Sequence, residues 1–355
     1  MRDLLTFLVT LVATSLINRF FLFVYFKKIH LRGQNLIKTI IIDTNQNTSK
    51  YIKSIHARGD LGYYLEKVIL FDEIERNPEE VFKMLSEKFV DKNYAVFFSL
   101  NGECSEELRY KIQNLVQDNY INFFLIPDLN LNDVSSNKIE FLDHLPLINL
   151  NLHPLKDEFN NVVKRTFDIL FSFAVCLFLL MFVFPIIAIL IKLDSKGPVF
   201  FSQKRRGLNG NEFNCYKFRT MRNDGTNSIQ ATVVNDTRVT KIGNFLRKTS
   251  LDEVPQFFNV LKGDMSIVGP RPHMISQDMH YSEIIKRYNL RNYVKPGITG
   301  LAQVKGYRGA IDCDKDMEDR IITDIFYVRN WSLLLDIQII YQTVVLVFKG
   351  DENAI

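Results

Sequence analysis

Between residues 37 and 155 the chain alternates short β-branched and aromatic runs with stretches of helical spacing. IKTIIID (37–43), YYLEKVILF (63–71), YAVFFSL (94–100) and INFFLIPD (121–128) read as strands. TSKYIKSIHA (48–57), PEEVFKMLSEKF (78–89) and CSEELRYKIQNLVQDNY (104–120) read as helices. This alternation predicts a parallel sheet with helices on its faces. Two longer apolar runs flank the region. Leu4 to Phe26 is long enough to span a bilayer and lacks an A-x-A cleavage pattern. Asn18 and Arg19 interrupt it, and a mid-membrane Arg is costly unless it snorkels or pairs. Lys27, Lys28, His30 and Arg32 follow, so the positive-inside rule puts the rest of the chain on the cytoplasmic side. The expectation is a membrane helix within residues 1–33; a helix lying in the interface is the alternative.

The second run, Ile169 to Leu193, follows a polar linker read over 150–163. It is about 37 Å long if wholly helical. Lys164 and Arg165 precede it; Lys192, Lys196, Lys204, Arg205 and Arg206 follow. A straight span would carry one cluster across the membrane, against the positive-inside rule. Pro185 inside the run removes a hydrogen bond and kinks a helix. A helix-break-helix over about 166–193 that enters and leaves by one face satisfies both; an ordinary kinked span is the alternative. Beyond it, VFFSQKRRGLNGNEFNCYKFRTM predicts a hairpin about Asn209-Gly210 carrying Lys204, Arg205, Arg206, Lys217, Arg219 and Arg222. NWSLLLDIQIIYQTVVLVF (330–348) suits an amphipathic helix at the interface with Trp331 at headgroup depth, or equally a core-packing helix.

A chain of 355 residues fits two domains, or one plus membrane elements. The net charge of +4 is too mild to argue for nucleic acid, and no nucleic-acid partner is expected. The four cysteines are scattered with no CxxC, which fits free thiols in a reducing compartment rather than zinc or disulfides. The turn after the first strand, Asp43 to Asn47, has no glycine, and a dinucleotide fingerprint needs glycines for the backbone to approach a pyrophosphate. The 34–155 region therefore reads as a Rossmann-like module without NAD, structural or regulatory in role.

The chemistry concentrates in KTSLDEVPQFFNVLKGDMSIVGPRP (248–272). Asp252 and Glu253 stand at what reads as a helix start, with Pro255 in its first turn. Neighbours on a helix do not face each other, so the pair cannot flank a glycosidic bond as a hydrolase pair does. A helix start stabilises an anion and can seat a phosphate. Ser250-Leu-Asp-Glu253 also matches a capping box, which leaves Asp252 readable as a cap. A carboxylate attacking a diphosphate needs cations and a divalent metal against like-charge repulsion. Lys217, Arg219, Arg247, Arg271 and Arg308 are candidate cations, and Glu253 is a hard oxygen ligand suited to Mg²⁺.

The order KRTFD (164–168), the Pro-broken run, GPVFFSQKRRG (197–207), YKFRTM (216–221), LRKTSLDEVPQ (246–256), GPRP (269–272), VKPGITGLAQVKGYRG (294–309) and NWSLLLDI (330–337) resembles the bacterial sugar transferase family. These are the monotopic polyprenol-phosphate phosphoglycosyl transferases. The likeness covers about 164–348. The module before it resembles the longer members, of the undecaprenyl-phosphate glucose or galactose phosphotransferase type. Those usually carry several N-terminal membrane helices; this chain has at most one, which makes it look like a shortened long form. Phe184-Pro185 stands where the family often has Ser-Pro, removing one polar partner for the freed backbone.

The resemblance implies transfer of a sugar 1-phosphate from a UDP-sugar to undecaprenyl phosphate with release of UMP. It makes Asp252 the nucleophile and Glu253 the Mg²⁺ ligand. Lys217, Arg219, Arg247, Arg271 and Arg308 become substrate contacts, and Asp324 in DIFYVRNWS a further candidate. The YRG ending leans towards a hexose such as glucose or galactose. The implied fold is membrane-associated α/β: an N-terminal membrane helix (1–33), the Rossmann-like module (34–155), and an α+β catalytic domain (160–350) with the re-entrant helix and interfacial helices. It is expected at the bacterial inner membrane, catalytic domain on the cytoplasmic face, with membrane lipid as partner and a homodimer contact through the first module. The product enters exopolysaccharide, capsule or O-antigen assembly. The competing expectations are a Leloir-type lipid glycosyltransferase releasing UDP and a non-catalytic membrane scaffold.

Overall fold

The computed structural model describes residues 2–43, 46–100, 105–127, 139–150, 153–222, 236–307 and 314–349. It divides into two compact units, Met1–Asn151 and Leu152–Ile355.

The first unit opens with α1 (Arg2–Leu31), then β1 (Ile37–Ile42), α2 (Gln46–Ala57), β2 (Tyr63–Ile69), α3 (Phe71–Arg76), α4 (Pro78–Lys88), β3 (Tyr94–Ser99), α5 (Glu106–Asp118), β4 (Asn122–Ile126), β5 (Ile139–Leu142) and β6 (Leu145–Asn149). Its sheet runs β2-β1-β3-β4-β6-β5. The first four strands are parallel, Lys38 to Ile42 pairing in register with Tyr94 to Phe98. Every residue of β3 is buried, as a parallel strand covered on both faces requires. The expected module is therefore present, with two differences. An antiparallel hairpin, β5 and β6, extends the sheet beyond β4. Phe71, read as a strand end, instead opens α3, where Asp72 and Glu73 suit a helix's first turn.

The second unit begins with α6 (Glu158–Asp194). Asp157 caps it, accepting a hydrogen bond from the Asn160 N–H at 3.0 Å. Residues 158–163, expected as linker, are thus its first turns: the cap and Glu158 start the helix before the apolar run begins. It stays helical through Pro185. Among the described residues, no helix is long and apolar enough to cross a membrane. Next come β7 (Phe200–Arg206) and β8 (Glu212–Phe218), the predicted hairpin, paired from Phe200–Phe218 to Arg206–Glu212 with Asn209 and Gly210 at positive φ in the turn. α7 (Lys241–Lys248), α8 (Gln256–Lys262), β9 (Ser266–Val268), α9 (Ile275–Ile284), β10 (Gly297–Thr299), α10 (Leu301–Val304), α11 (Asp314–Arg329) and α12 (Leu333–Lys349) complete it. β9 and β10 form a short parallel pair.

The foot of α6 is pinned by buried charge. Lys164 Nζ lies 3.1 Å from Asp168 and 2.8 Å from Asp336. Asp336 is also 2.8 Å from the Tyr327 hydroxyl and accepts from Trp331 Nε1 at 3.1 Å. Trp331 is accordingly buried in the core rather than at headgroup depth: its N–H has found a partner inside. α12 nevertheless has two faces, burying Asp336 and Ile339 while exposing Leu334, Ile337, Tyr341, Val344 and Val347.

Candidate active site

Asp252 and Glu253 belong to a single 3₁₀ turn, Leu251–Glu253, that leads through Pro255 into α8. Ser250 enters the turn with φ of 56°, and its side chain caps none of the turn's N–H groups. The capping-box alternative is thereby corrected: a left-handed residue cannot hold the extended backbone that the motif needs. Asp252 and Glu253 are nonetheless both buried.

Their surroundings differ. Glu253 is gripped on both oxygens, with Arg271 Nη2 at 2.6 Å from Oε1, Arg271 Nη1 at 3.2 Å from Oε2, and Lys217 Nζ at 2.7 Å from Oε1. This is the fork geometry in which guanidinium and carboxylate match best. Asp252 has a single close cation, Lys217 Nζ, at 3.8 Å from Oδ2. Among the described residues its carboxylate accepts no hydrogen bond. Burial pushes its pKa up; Lys217 opposes the rise and Glu253's charge adds to it. Glu253 in turn raises Arg271 above the usual guanidinium range, which keeps that cation charged.

Several elements converge to make this. Lys217 stands near the end of β8, whose backbone is stitched to α8 by Asn259: Oδ1 accepts from Tyr216 N–H at 3.0 Å and Nδ2 donates to Asn214 O at 2.7 Å. Arg165, at the foot of α6, donates to the carbonyls of Val260 and Leu261 and so caps the far end of α8. Arg271 follows β9, and its carbonyl accepts from Arg291 Nη2. Arg247 is half-buried and bonded through Nε to Thr220 Oγ1 at 2.9 Å. Asp252's negative charge acts on it. Asn259, Arg165 and Arg291 were not expected in this role. Arg165 alone had a visible signal, its place in the KRTFD pattern, and that was read as a membrane flank.

The expected residues thus divide. Lys217, Arg247 and Arg271 gather about the pair. Arg219 does not: its guanidinium donates to Lys196 O at 3.0 Å, Ser195 O at 2.7 Å and Ser195 Oγ at 3.1 Å. It holds the end of α6, whose last carbonyls lack helical partners. Asp324 is buried and ion-paired with Arg291 at 2.9 Å, so its link to the site runs through the Arg271 loop. Arg308 lies outside the described residues.

Among the described residues, no three His, Cys, Asp or Glu side chains group as a metal site. Mg²⁺ commonly takes only one or two protein carboxylates, with water and substrate phosphates completing the shell. Asp252, which accepts no hydrogen bond among the described residues, has an oxygen to offer such an ion, whereas Glu253, the expected ligand, has both oxygens on Arg271 and Lys217 and must give up one of these contacts to join it. Chemically the site offers a poorly solvated carboxylate beside a cation cluster, suited to attack on a phosphoryl group.

The model of the family described as bacterial sugar transferase matches residues 159–350. The chain is 42% identical over 285 residues to the UDP-glucose:undecaprenyl-phosphate glucose-1-phosphate transferase of Xanthomonas campestris pv. campestris, covering 78% of this chain and 57% of that one. It is 46% identical over 248 residues to the like-named protein of Klebsiella pneumoniae, covering 68% and 52%. Against the exopolysaccharide production protein PSS of Rhizobium leguminosarum bv. phaseoli the identity is 47% over 189 residues, 52% of this chain and 94% of the relative. The chain thus spans little more than half the length of the two glucose-1-phosphate transferases. The matched region contains the carboxylate pair, the hairpin and every cation gathered around them, and it makes up more than half of the sequence; the chain belongs to the bacterial sugar transferase family.

Proposed function

We propose that this protein transfers a hexose 1-phosphate, glucose 1-phosphate in the first instance, from its UDP-sugar to undecaprenyl phosphate. The observation that carries this is the asymmetry of the pair: Glu253 is fully engaged by Lys217 and Arg271, while Asp252 is buried with an open carboxylate. An Asp252 oxygen attacks the sugar-bearing phosphorus. The bond from that phosphorus to the bridging oxygen breaks and UMP leaves. An oxygen of undecaprenyl phosphate then attacks the same phosphorus, expels the Asp252 carboxylate and yields the lipid diphosphate sugar. Lys217, Arg271 and Arg247 hold the phosphates and offset charge on the leaving UMP. Asp252 and Glu253 would hold Mg²⁺, Glu253 by exchanging a contact with Lys217 or Arg271 for the ion, and the ion would neutralise phosphate charge.

The acceptor's chemistry favours a membrane seat. Leu170, Phe173 and Leu177 of α6 are more than half exposed, as are Ile186 and Ile189 beyond them. We read α6 as re-entrant about Pro185, entered and left on the cytoplasmic face of the inner membrane, with the exposed face of α12 in the interface. α1 supplies a further membrane contact, and the first unit serves as homodimer contact or regulator. The relatives' names point to exopolysaccharide assembly as the pathway.

Membrane-purified protein, undecaprenyl phosphate, Mg²⁺ and a panel of UDP-sugars test this by nucleotide analysis. UMP release and a phospho-sugar adduct on Asp252 are expected, both lost in Asp252→Asn. UDP release without an adduct, or full activity of that variant, overturns the assignment.

A further inference from the structure

The second unit holds a cavity of about 80 Å³ whose wall is mostly apolar, with His153, Lys164, Arg165, Asp168, Lys295 and Tyr327 bringing polar groups to it. None of the residues gripping Asp252 or Glu253 lines it. A single water needs only ~10–15 Å³ on this measure, so a larger polar group fits.

The cavity has an excess of positive charge. Lys164 is offset by Asp168 and Asp336. Arg165 donates to two carbonyls, which carry no formal charge. Lys295 makes no hydrogen bond or ion pair among the described residues. Its head and that of Arg165 converge: a Cβ on Gly263 would lie 3.8 Å from Lys295 Nζ and 3.5 Å from Arg165 Nη2. Burial and then Arg165's charge push Lys295's pKa down, while the carboxylates of Asp168 and Asp264 oppose the fall without reaching ion-pair distance. His153 adds a buried Nδ1 with no partner among the described residues. Burial holds this imidazole's pKa at about 4, so it is neutral.

We propose that this cavity is a second phosphate-binding site, which takes one phosphate mono- or diester between Arg165, Lys295 and His153. Two convergent cations and an imidazole match the several acceptor oxygens of a tetrahedral oxyanion. The phosphate comes from a membrane lipid headgroup or from free phosphate. The lipid source rests on the membrane seat proposed for α6, whose exposed Leu170 and Phe173 follow Arg165 by one to two turns. Occupancy bears on catalysis, because Arg165 caps α8 and the Lys295 carbonyl packs against Gly269, two residues before Arg271.

Titration calorimetry of the full chain in detergent, with inorganic phosphate as probe, tests the site. The wild type should show two binding events. Lys217→Met should lose the one at the carboxylate pair and keep the other. Lys295→Met should weaken the second by about tenfold or more, as loss of a charge-assisted contact requires. Lys295→Arg, which keeps the charge and controls for folding, should restore it. Equal phosphate binding by wild type and Lys295→Met overturns the proposal, as does a wild type with no event surviving Lys217→Met. Short-chain phosphatidylglycerol then separates the sources: competition at the Lys295 site assigns it to lipid, and phosphate binding without competition assigns it to free phosphate. Neither result depends on UMP release, so failure here is distinct from failure of the proposed reaction.

Discussion

Asp252 and Glu253 are neighbours with opposite electrostatic fates. Burial raises the Asp252 pKa, so between the ordinary carboxylate value of about 3.9 and its folded value the native state binds more protons than the unfolded chain. Stability contributed by this group is present at low pH and is lost as pH rises through that window. Asp252→Asn removes the cost of a buried charge and should raise the melting temperature at neutral pH while abolishing transfer; scanning calorimetry at acid and neutral pH should show the difference shrink on the acid side. If Asp252 attacks as proposed it must be ionised, so the wild-type rate should have an acid limb above the usual carboxylate range. Glu253→Gln should instead destabilise the fold by roughly 1–3 kcal/mol, read as a lower urea midpoint at constant m-value, since it leaves two cations poorly paired. The pair was legible in the sequence because carboxylates beside Lys and Arg already implied phosphate chemistry. Arg219 was misread for the opposite reason. A sequence displays its charge but not its partners, the carbonyls of Ser195 and Lys196 more than twenty residues upstream.

The supports of the site are elements in very close approach. A Cβ on Gly243 in α7 would lie 2.0 Å from the Thr220 carbonyl oxygen. Gly243→Ala must therefore push α7 away from the strand end that anchors Arg247. A cost of about 1–3 kcal/mol is expected, with kcat falling more than the melting temperature alone explains. Arg291 plays the matching part for the Arg271 loop, tying its carbonyl to Asp324. Arg291→Met should leave Asp324 buried and unpaired, destabilise the fold by about 3–5 kcal/mol, and lower kcat through Arg271. Melting curves and kcat measured together check both variants. Elements of strong period were legible: β1 to β4 and their helices fall within a few residues of expectation. The β5–β6 hairpin was not, because strands of 4 and 5 residues about a left-handed Asp143 carry too little alternation to register. Nor was the burial of Trp331, which depends on Asp336 and Lys164 meeting across the core.

For the molecule as a whole, the two units invite separation. A relative matched over 94% of its own length by 189 residues of this chain is little longer than the catalytic region. Residues 152–355 expressed alone should therefore retain UMP release, and loss of turnover with the fold intact by circular dichroism would give the first unit a direct catalytic role. Cysteine labelling in sealed vesicles should find positions 157 and 196 on the same face; opposite faces would make α6 a span. The β8 strand connects these scales. Lys217 near its end holds the carboxylate pair, and Arg219, just beyond the strand's last residue Phe218, holds the end of α6. The strand end therefore acts as a ruler: the contact with the carboxylate pair and the contact with the end of α6 are made by residues two positions apart, about 7 Å of extended backbone. A residue inserted between positions 217 and 219 should therefore cost one of the two contacts, lowering either the rate through Lys217 or the melting temperature through the end of α6.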